Sequence, residues 1–522
     1  MYNLDDFRRS LLSLGLFAAG LTAAGCGESV EAPDDSEERS QDAGGILGDA
    51  GARASDSGRS PGLGDAAGSA GDAASVDETE VVVCPAPVGA PVTDRFSVRV
   101  EGQEAPVYEG PATENGRFYG FTSFDFSGGP ARIEVAVSGV VLNAPVVRPS
   151  SKNVTVSVVD GVATLVVTEP GQYTLLPDGD RYDNALHVFA NPPEVAPPSP
   201  EDPNVIYFGP GVHDAGRIRP ADGQTVYLHC SAFVRGGVEL LGVADVTVRG
   251  RGVIDGTAWE KWDGPTDYRY ALFHFDDTHD CTLEGVVIRG SWAASAHVYS
   301  SRRTLFDNIK VVNSRFMNDD GLTPINTSDL TIRDSFVRTD DDCVPIKGYQ
   351  DDREDVDGVL IERSVFWADR ARVFLVGHET MVGNMQNITI RDNDVIHYSM
   401  TPFLIEPGEE GTVGPNVLFD DIRVHGDGVD PGEGTTFLVI QPVINQWLQL
   451  QAPGHVDGVT VRDIAFTGDH VGDWILIRGY DSTHLTQNVT VQRLVVDGRP
   501  LTRESPGVVV GDHTAAITIV AR

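Results

Sequence analysis

From about residue 81 the chain is filled with short runs in which apolar and polar residues alternate, the period of a half-buried β-strand. Phe96-Ser97-Val98-Arg99-Val100, Ala131–Val137, Val154–Val158 and Ala163–Val167 are such runs, each bounded by Gly, Pro, Asn or Asp. Strands of that length separated by turn formers predict an antiparallel β-sandwich over residues 81–200, ending in the Pro-rich stretch Asn191–Pro203. Nothing in it clusters for chemistry. It reads as a spacer or accessory domain, with carbohydrate binding as the alternative.

Beyond Asn204 the alternation becomes a repeat. Val246-Thr247-Val248-Arg249-Gly250, Thr282–Ile288, Leu305–Val311, Leu330–Val337, Val359–Phe366, Ile388–Ile396, Val417–Val424, Val459–Phe466 and Val489–Val496 each read as strand, polar corner, strand. Most of them are about 22–30 residues apart, with two longer intervals. No helical period runs through them, which excludes leucine-rich and all-helical repeats. The pattern predicts an all-β chain: a right-handed parallel β-helix over residues 201–522, each coil burying alternate side chains against its neighbours.

The first 80 residues have a different texture. Arg8-Arg9 precede an apolar run, Leu11–Ala24, that is too short to span a bilayer. It ends in Ala23-Ala24-Gly25-Cys26, which resembles a bacterial lipobox with Cys26 as the lipidated residue. Residues 1–26 are therefore expected to be an export signal, by the general or the twin-arginine route. Residues 27–80 hold fourteen acids, three bases and scarcely an aromatic or β-branched residue, so they are expected to be a disordered tether. The expected location is outside the cytoplasm, lipid-anchored at the cell envelope or secreted.

The net charge of −38 disfavours nucleic acid and anionic bilayers as partners, leaving the lipid anchor as the only expected membrane contact. A monomer is expected. Five cysteines are present; with Cys26 set aside, Cys84, Cys230, Cys281 and Cys343 allow three disulfide pairings, which spacing does not distinguish. No C-x-x-C pair or Ca²⁺ loop appears, so neither a metal nor another cofactor is expected.

Two acidic clusters stand about one repeat apart: Asn318-Asp319-Asp320-Gly321 and Thr339-Asp340-Asp341-Asp342-Cys343-Val344-Pro345-Ile346-Lys347. Equivalent places in neighbouring coils stack about 4.8 Å apart, so Asp320, Asp341 and Asp342 should crowd one patch. Their mutual repulsion should keep at least one protonated, the state a general acid needs. For Asp341 and Asp342 both to point outward, a corner or bulge is required there.

Asn318–Gly321 resembles the Asn-Thr-Asp-Gly signature of polygalacturonases, Asp341–Ile346 resembles their Asp-Asp-Cys-x-x-Ile, and Gly377-His378 their Gly-His pair. The layout is similar to the dextranase and isopullulanase family of the same clan. That family has a β-sandwich before its β-helix, an Ile-Tyr-Phe-x-x-Gly-Val entry segment (here within Val205–Val212) and an Asp-Asp-x-Ile-Lys motif, here ending in Ile346-Lys347. The resemblance implies an inverting glycoside hydrolase acting on a polysaccharide, with Asp341 as general acid and Asp320 and Asp342 activating water. The Gly-His match implies that His378 orients the acid or the substrate, and Arg372, Lys347, Trp367 and Glu406 are expected beside it as substrate-binding residues.

Where polygalacturonases hold a uronate with Arg-x-Lys, this chain has Pro402-Phe403-Leu404-Ile405-Glu406-Pro407. An acid, Glu406, stands where a base is wanted, which favours a neutral α-glucan of the dextran or pullulan type over pectin. Lys347 pairs with the aspartates or bridges coils. Trp367, like Trp259, Trp262 and Trp292, is either a sugar platform or core. The competing readings are a polygalacturonase-like pectin hydrolase, a polysaccharide lyase and a non-catalytic glycan-binding β-helix.

Overall fold

In the computed structural model, residues 79–522 are described except 115, 143, 180, 181, 183, 262–270, 350–354, 381–382, 428–434 and 445–450. The expected signal, its Cys26 and nearly all of the tether lie outside the described residues, as does Trp262. The described chain is β throughout, apart from a single 3-10 turn at Ser150–Lys152.

Two sheets formed before residue 192 face each other. One holds Phe96–Val100, Gln103–Ala105, Ala131–Val137, Val156–Val159 and Val162–Val167, all antiparallel. Its inward residues Val98, Ile133, Val135 and Leu165 pack against Phe124, Leu175, Leu186 and Val188 of the other. The second sheet departs from the expected all-antiparallel sandwich. Tyr119–Ser127 and Ala185–Asn191 run parallel, brought together by a long excursion through the opposite sheet rather than by a hairpin.

From Val205 onward the chain winds as a parallel β-helix. A representative coil has three strands: Leu322–Ile325, Ser328–Arg333 and Phe336–Thr339. Ser328–Arg333 pairs in parallel with Val356–Glu362 of the next coil, Phe336–Thr339 with Val365–Ala368, and Ile325 with Lys347. Leu322, Val344, Phe374, Phe403, Leu438 and Ile475 stack inward from successive coils into one long core.

The polar corner of each repeat has a conformational cause. Asn308, Asp334, Arg363, Asp392, Asp421, Asp463 and Arg493 all sit at φ between 50° and 55°, turning the chain between two sides of the coil. Asn and Asp tolerate this left-handed region best among residues with a side chain, so the alternation breaks at a polar residue in most coils.

The sandwich and the helix form one compact unit. Tyr119, Phe121 and Phe189 of the sandwich pack on Phe233, Phe336, Val365, Trp367 and Ile396 of the helix. Trp367 is fully buried there, with its indole N–H donating to Asp369 at 2.9 Å. The expectation that Trp367 is a sugar platform is therefore corrected: its ring belongs to the seam between sandwich and helix. Trp292 is likewise core, with Trp259 edge-on against it at 5.2 Å. Cys84 is bridged to Cys230, tying the start of the sandwich to the helix, while Cys281 and Cys343 are buried thiols.

Candidate active site

With one face of the helix covered by the sandwich, the face built from Ala271–Asp276, Ala294–Tyr299, Leu322–Ile325, Val344–Ile346, Phe374–Gly377 and Phe403–Glu406 carries the acidic clusters. Asp320 lies two residues before Leu322–Ile325 and Asp342 two residues before Val344–Ile346, on equivalent steps of adjacent coils. The N–H of Gly321 donates to the Asp342 carbonyl at 2.8 Å, which fixes that register. Only glycine fits at 321, since a Cβ there would lie 2.3 Å from the Cys343 carbonyl oxygen.

Asp320, Asp341 and Asp342 each offer a carboxylate oxygen within 4.8 Å of the others. The required turn at 340–342 is organised by Asp319, a residue the sequence reading left without a role. Fully buried, Asp319 accepts from the N–H groups of Asp340 (2.8 Å) and Asp341 (3.0 Å) with one oxygen. Its other oxygen accepts from Arg315 and Phe316. Burial pushes its carboxyl well up, against the pull of those N–H groups. Asp341 accepts from the Asn318 N–H at 2.7 Å and the Asp342 N–H at 3.0 Å.

Burial raises the Asp320 carboxyl to about 8, against the pull of Lys347 and with the help of Asp341 and Asp342. Burial and then the charge of Asp342 raise Asp341 as well, while the Asn318 N–H lowers it. At neutral pH the trio thus carries fewer than three charges. Lys347 stands 3.3 Å from Asp320 and 2.8 Å from Glu379. Burial disfavours its ammonium, but Glu379 and Asp320 more than offset this and hold it protonated. Arg372 donates its N–H to Asp342 at 3.0 Å, with its guanidinium 3.6 Å from the same oxygen.

His378 and Glu406 meet one and two coils on. The backbone at His378 is left-handed, φ 58°, and its Nδ1 lies 3.2 Å from Glu406. Glu406 also accepts from Gln441 at 2.5 Å; burial opposes its charge, but the His378 and Gln441 bonds more than compensate and keep it ionised. The trio and the His378–Glu406 pair are linked through Arg372, which interacts with the charges of Asp342, Asp341 and Glu406. Asp320, Asp341, Asp342, Lys347, Arg372, His378 and Glu406 therefore form one neighbourhood; Trp367 does not join it.

Sequence reasoning missed four further residues here. Glu379 was legible only as the neighbour of His378. Tyr299 and Tyr349, with ring centroids 6.3 Å apart, are partly exposed, and Tyr349 interacts electrostatically with Lys347 and Glu379. His297, one strand pairing before Thr323, is held neutral by burial, His274 and Lys347. An alternating strand gives no sign of which outward residues meet across coils. The oxygens of Asp320, Asp341 and Asp342 are close enough to gather a cation, but the Lys347 ammonium already provides positive charge at Asp320.

Residues 231–363, which hold both acidic clusters, match the profile of glycosyl hydrolases family 28. No curated protein sequence matches the chain. Among solved structures, Dex49A from Penicillium minioluteum is similar over 83% of this chain and 96% of its own, with a TM-score of 0.59 at 15% identity. The Yersinia enterocolitica family 28 exopolygalacturonase covers 84% of this chain and 96% of its own, with a TM-score of 0.49 at 10% identity.

Proposed function

We infer that this chain, a glycoside hydrolase built on a right-handed parallel β-helix, cleaves a neutral α-glucan of the dextran or pullulan type by single displacement with inversion. The observation that carries the reading is the trio of carboxylates within 4.8 Å, two of them with raised pKa. Asp341 is the general acid: burial and the neighbouring Asp342 charge keep its proton available for the glycosidic oxygen. Asp342 accepts from the attacking water, and Asp320, whose buried carboxyl keeps its proton up to about pH 8, orients that water by donating to it. A water making two hydrogen bonds of about 2.8 Å at a tetrahedral angle spans partners about 4.6 Å apart, which the trio's spacing accommodates.

The substrate choice rests on charge. Asp320, Asp341, Asp342, Glu379 and Glu406 face two strong cations, Lys347 and Arg372, and both cations are engaged by carboxylates. A uronate entering this patch meets repulsion; a neutral sugar does not. Tyr299 and Tyr349 supply apolar faces on which a sugar ring can stack.

Incubation with dextran, pullulan and polygalacturonate, followed by reducing ends, tests the class. Release from a neutral glucan is expected, and release from polygalacturonate alone would move the chain to pectin chemistry. Asp341→Asn should lower kcat by about 10²–10⁴-fold with little change in KM. Retention of full activity in that variant removes Asp341 as the acid. The short carboxylate spacing also favours a second reading, retention through a glycosyl-aspartate, since retaining pairs stand closer than inverting ones. Proton NMR of the first-formed anomer separates the two outcomes.

We further propose that the enzyme is exported and lipid-anchored through Cys26, with the acidic tether letting it search polymer near the envelope. Fatty-acid labelling should be lost in Cys26→Ser.

A further inference from the structure

Three and four residues beyond Glu406 the chain passes through two successive left-handed residues, Glu409 (φ 52°) and Glu410 (φ 63°). Two histidines from later coils converge on Glu410: His455, at the start of His455–Asp469, and His484, two residues before Thr486–Val496. One Glu410 oxygen, Oε2, stands 3.5 Å from His455 Nε2 and 3.5 Å from His484 Nε2. The two imidazoles stack with centroids 4.9 Å apart, and one ligand atom from each of the three residues lies within 4.8 Å of the others.

These contacts are too long for N–H···O hydrogen bonds, which peak near 2.9–3.0 Å. They match another geometry. Two ligands each about 2.0–2.2 Å from a tetrahedral zinc ion are roughly 3.3–3.6 Å apart. Protonation fits the same picture. His484 Nδ1 lies 2.9 Å from Asp481 Oδ1, an oxygen that also accepts from the backbone N–H groups of Thr483 and His484 and from the Thr483 hydroxyl. His484 therefore carries its proton on Nδ1 when neutral, and presents the Nε2 lone pair to a carboxylate. Lone pair against carboxylate is repulsive unless a cation stands between them.

We propose that Glu410, His455 and His484 are a three-ligand site for a divalent transition-metal ion of the zinc type, with Asp481 orienting His484 and the remaining position open to water. The ion joins the loop after Glu406 to two later coils, acting as a clip on the helix flank rather than as part of the carboxylate trio.

The test uses the untagged full chain, stripped with chelator and titrated with Zn²⁺ by calorimetry, then with Co²⁺ while recording visible absorption. One zinc per chain, a cobalt spectrum of low coordination number and a zinc-dependent rise in Tm are expected. Glu410→Gln, at a side chain 63% exposed and so harmless to the core, and His484→Ala should abolish all three. Asp481→Asn should weaken affinity about 10–100-fold while keeping the cobalt spectrum, and Asp341→Asn should leave binding unchanged. Failure to bind zinc at micromolar concentrations overturns the proposal. Binding that survives in the His455→Ala/His484→Ala double variant overturns it equally.

Discussion

A carboxyl group that must hold its proton near neutral pH is a burden on the fold, and Asp320 shows the sign of that burden. Its pKa is raised to about 8, above its ordinary 3.8, by burial first. A raised carboxyl favours the folded state fully below the unfolded pKa, and that contribution is lost as pH climbs through about 8. Asp320→Asn removes the titration, so its Tm should match wild type near pH 4 and exceed it increasingly toward pH 8, even though hydrolysis is lost. Thermal melts across that range decide the matter; a variant less stable than wild type at pH 8 would mean that the Lys347 pairing outweighs burial. The acids of this site were legible in the sequence because consecutive aspartates are rare in an alternating strand. Asp319 was not, because a carboxylate that grips backbone N–H groups has the same letters as one that faces solvent. Trp367 misled for the opposite reason: aromatic rings serve seams and sugar platforms alike, and only the presence of the sandwich on that face tells them apart.

At the scale of the element, each coil is a strand, a left-handed corner and a strand, and the corner residue does most to set the repeat. Asp421, at φ 51° and with its side chain 64% exposed, tests this without touching the core. Asp421→Asn should be close to neutral, whereas Asp421→Val should cost about 1–2 kcal/mol, since a β-branched side chain is strained there. Urea melts of the two variants provide the comparison. Charges beside the corners pair from coil to coil: Arg333 with Asp307, Arg391 with Glu362, Arg423 with Asp394, Arg462 with Asp420. Several of these arginines are substantially exposed, so each pair adds little by itself; their position records the register. The period and polarity of the coils were readable in advance. The parallel strand pair within the sandwich was not, because alternation says which face is buried but not which way a neighbour runs.

Across the whole molecule, the sandwich is fastened to the helix by a buried polar node. Arg338, with no exposed surface, donates to Asp369 at 2.8 and 3.2 Å and lies between the Tyr119 and Trp367 rings, 3.7 and 4.3 Å from their centroids. It also stands 3.1 Å from His187 Nε2 of the sandwich. Arginine only donates, so Nε2 accepts and the His187 proton sits on Nδ1, 2.8 Å from the Thr174 hydroxyl. Arg338→Met takes two charge-assisted hydrogen bonds from Asp369, which keeps Arg117, Ser314 and the Trp367 indole as partners, and should destabilise the fold by about 1–3 kcal/mol. Calorimetry should show the single wild-type transition dividing into sandwich and helix steps; an undivided transition at unchanged Tm would deny the node its role. The junction between two folds could be anticipated, but not this fastening, whose members lie up to 250 residues apart in sequence, from Tyr119 to Asp369. The Asp319 grip has a different reach. It sets the distance between reactive groups on neighbouring coils through main-chain atoms, which every residue possesses, and not through the shapes of core side chains. With such a gauge, apolar core letters can be exchanged for other apolar letters while the working dimensions are kept. What it cannot absorb is one residue gained or lost between Asp320 and Asp341.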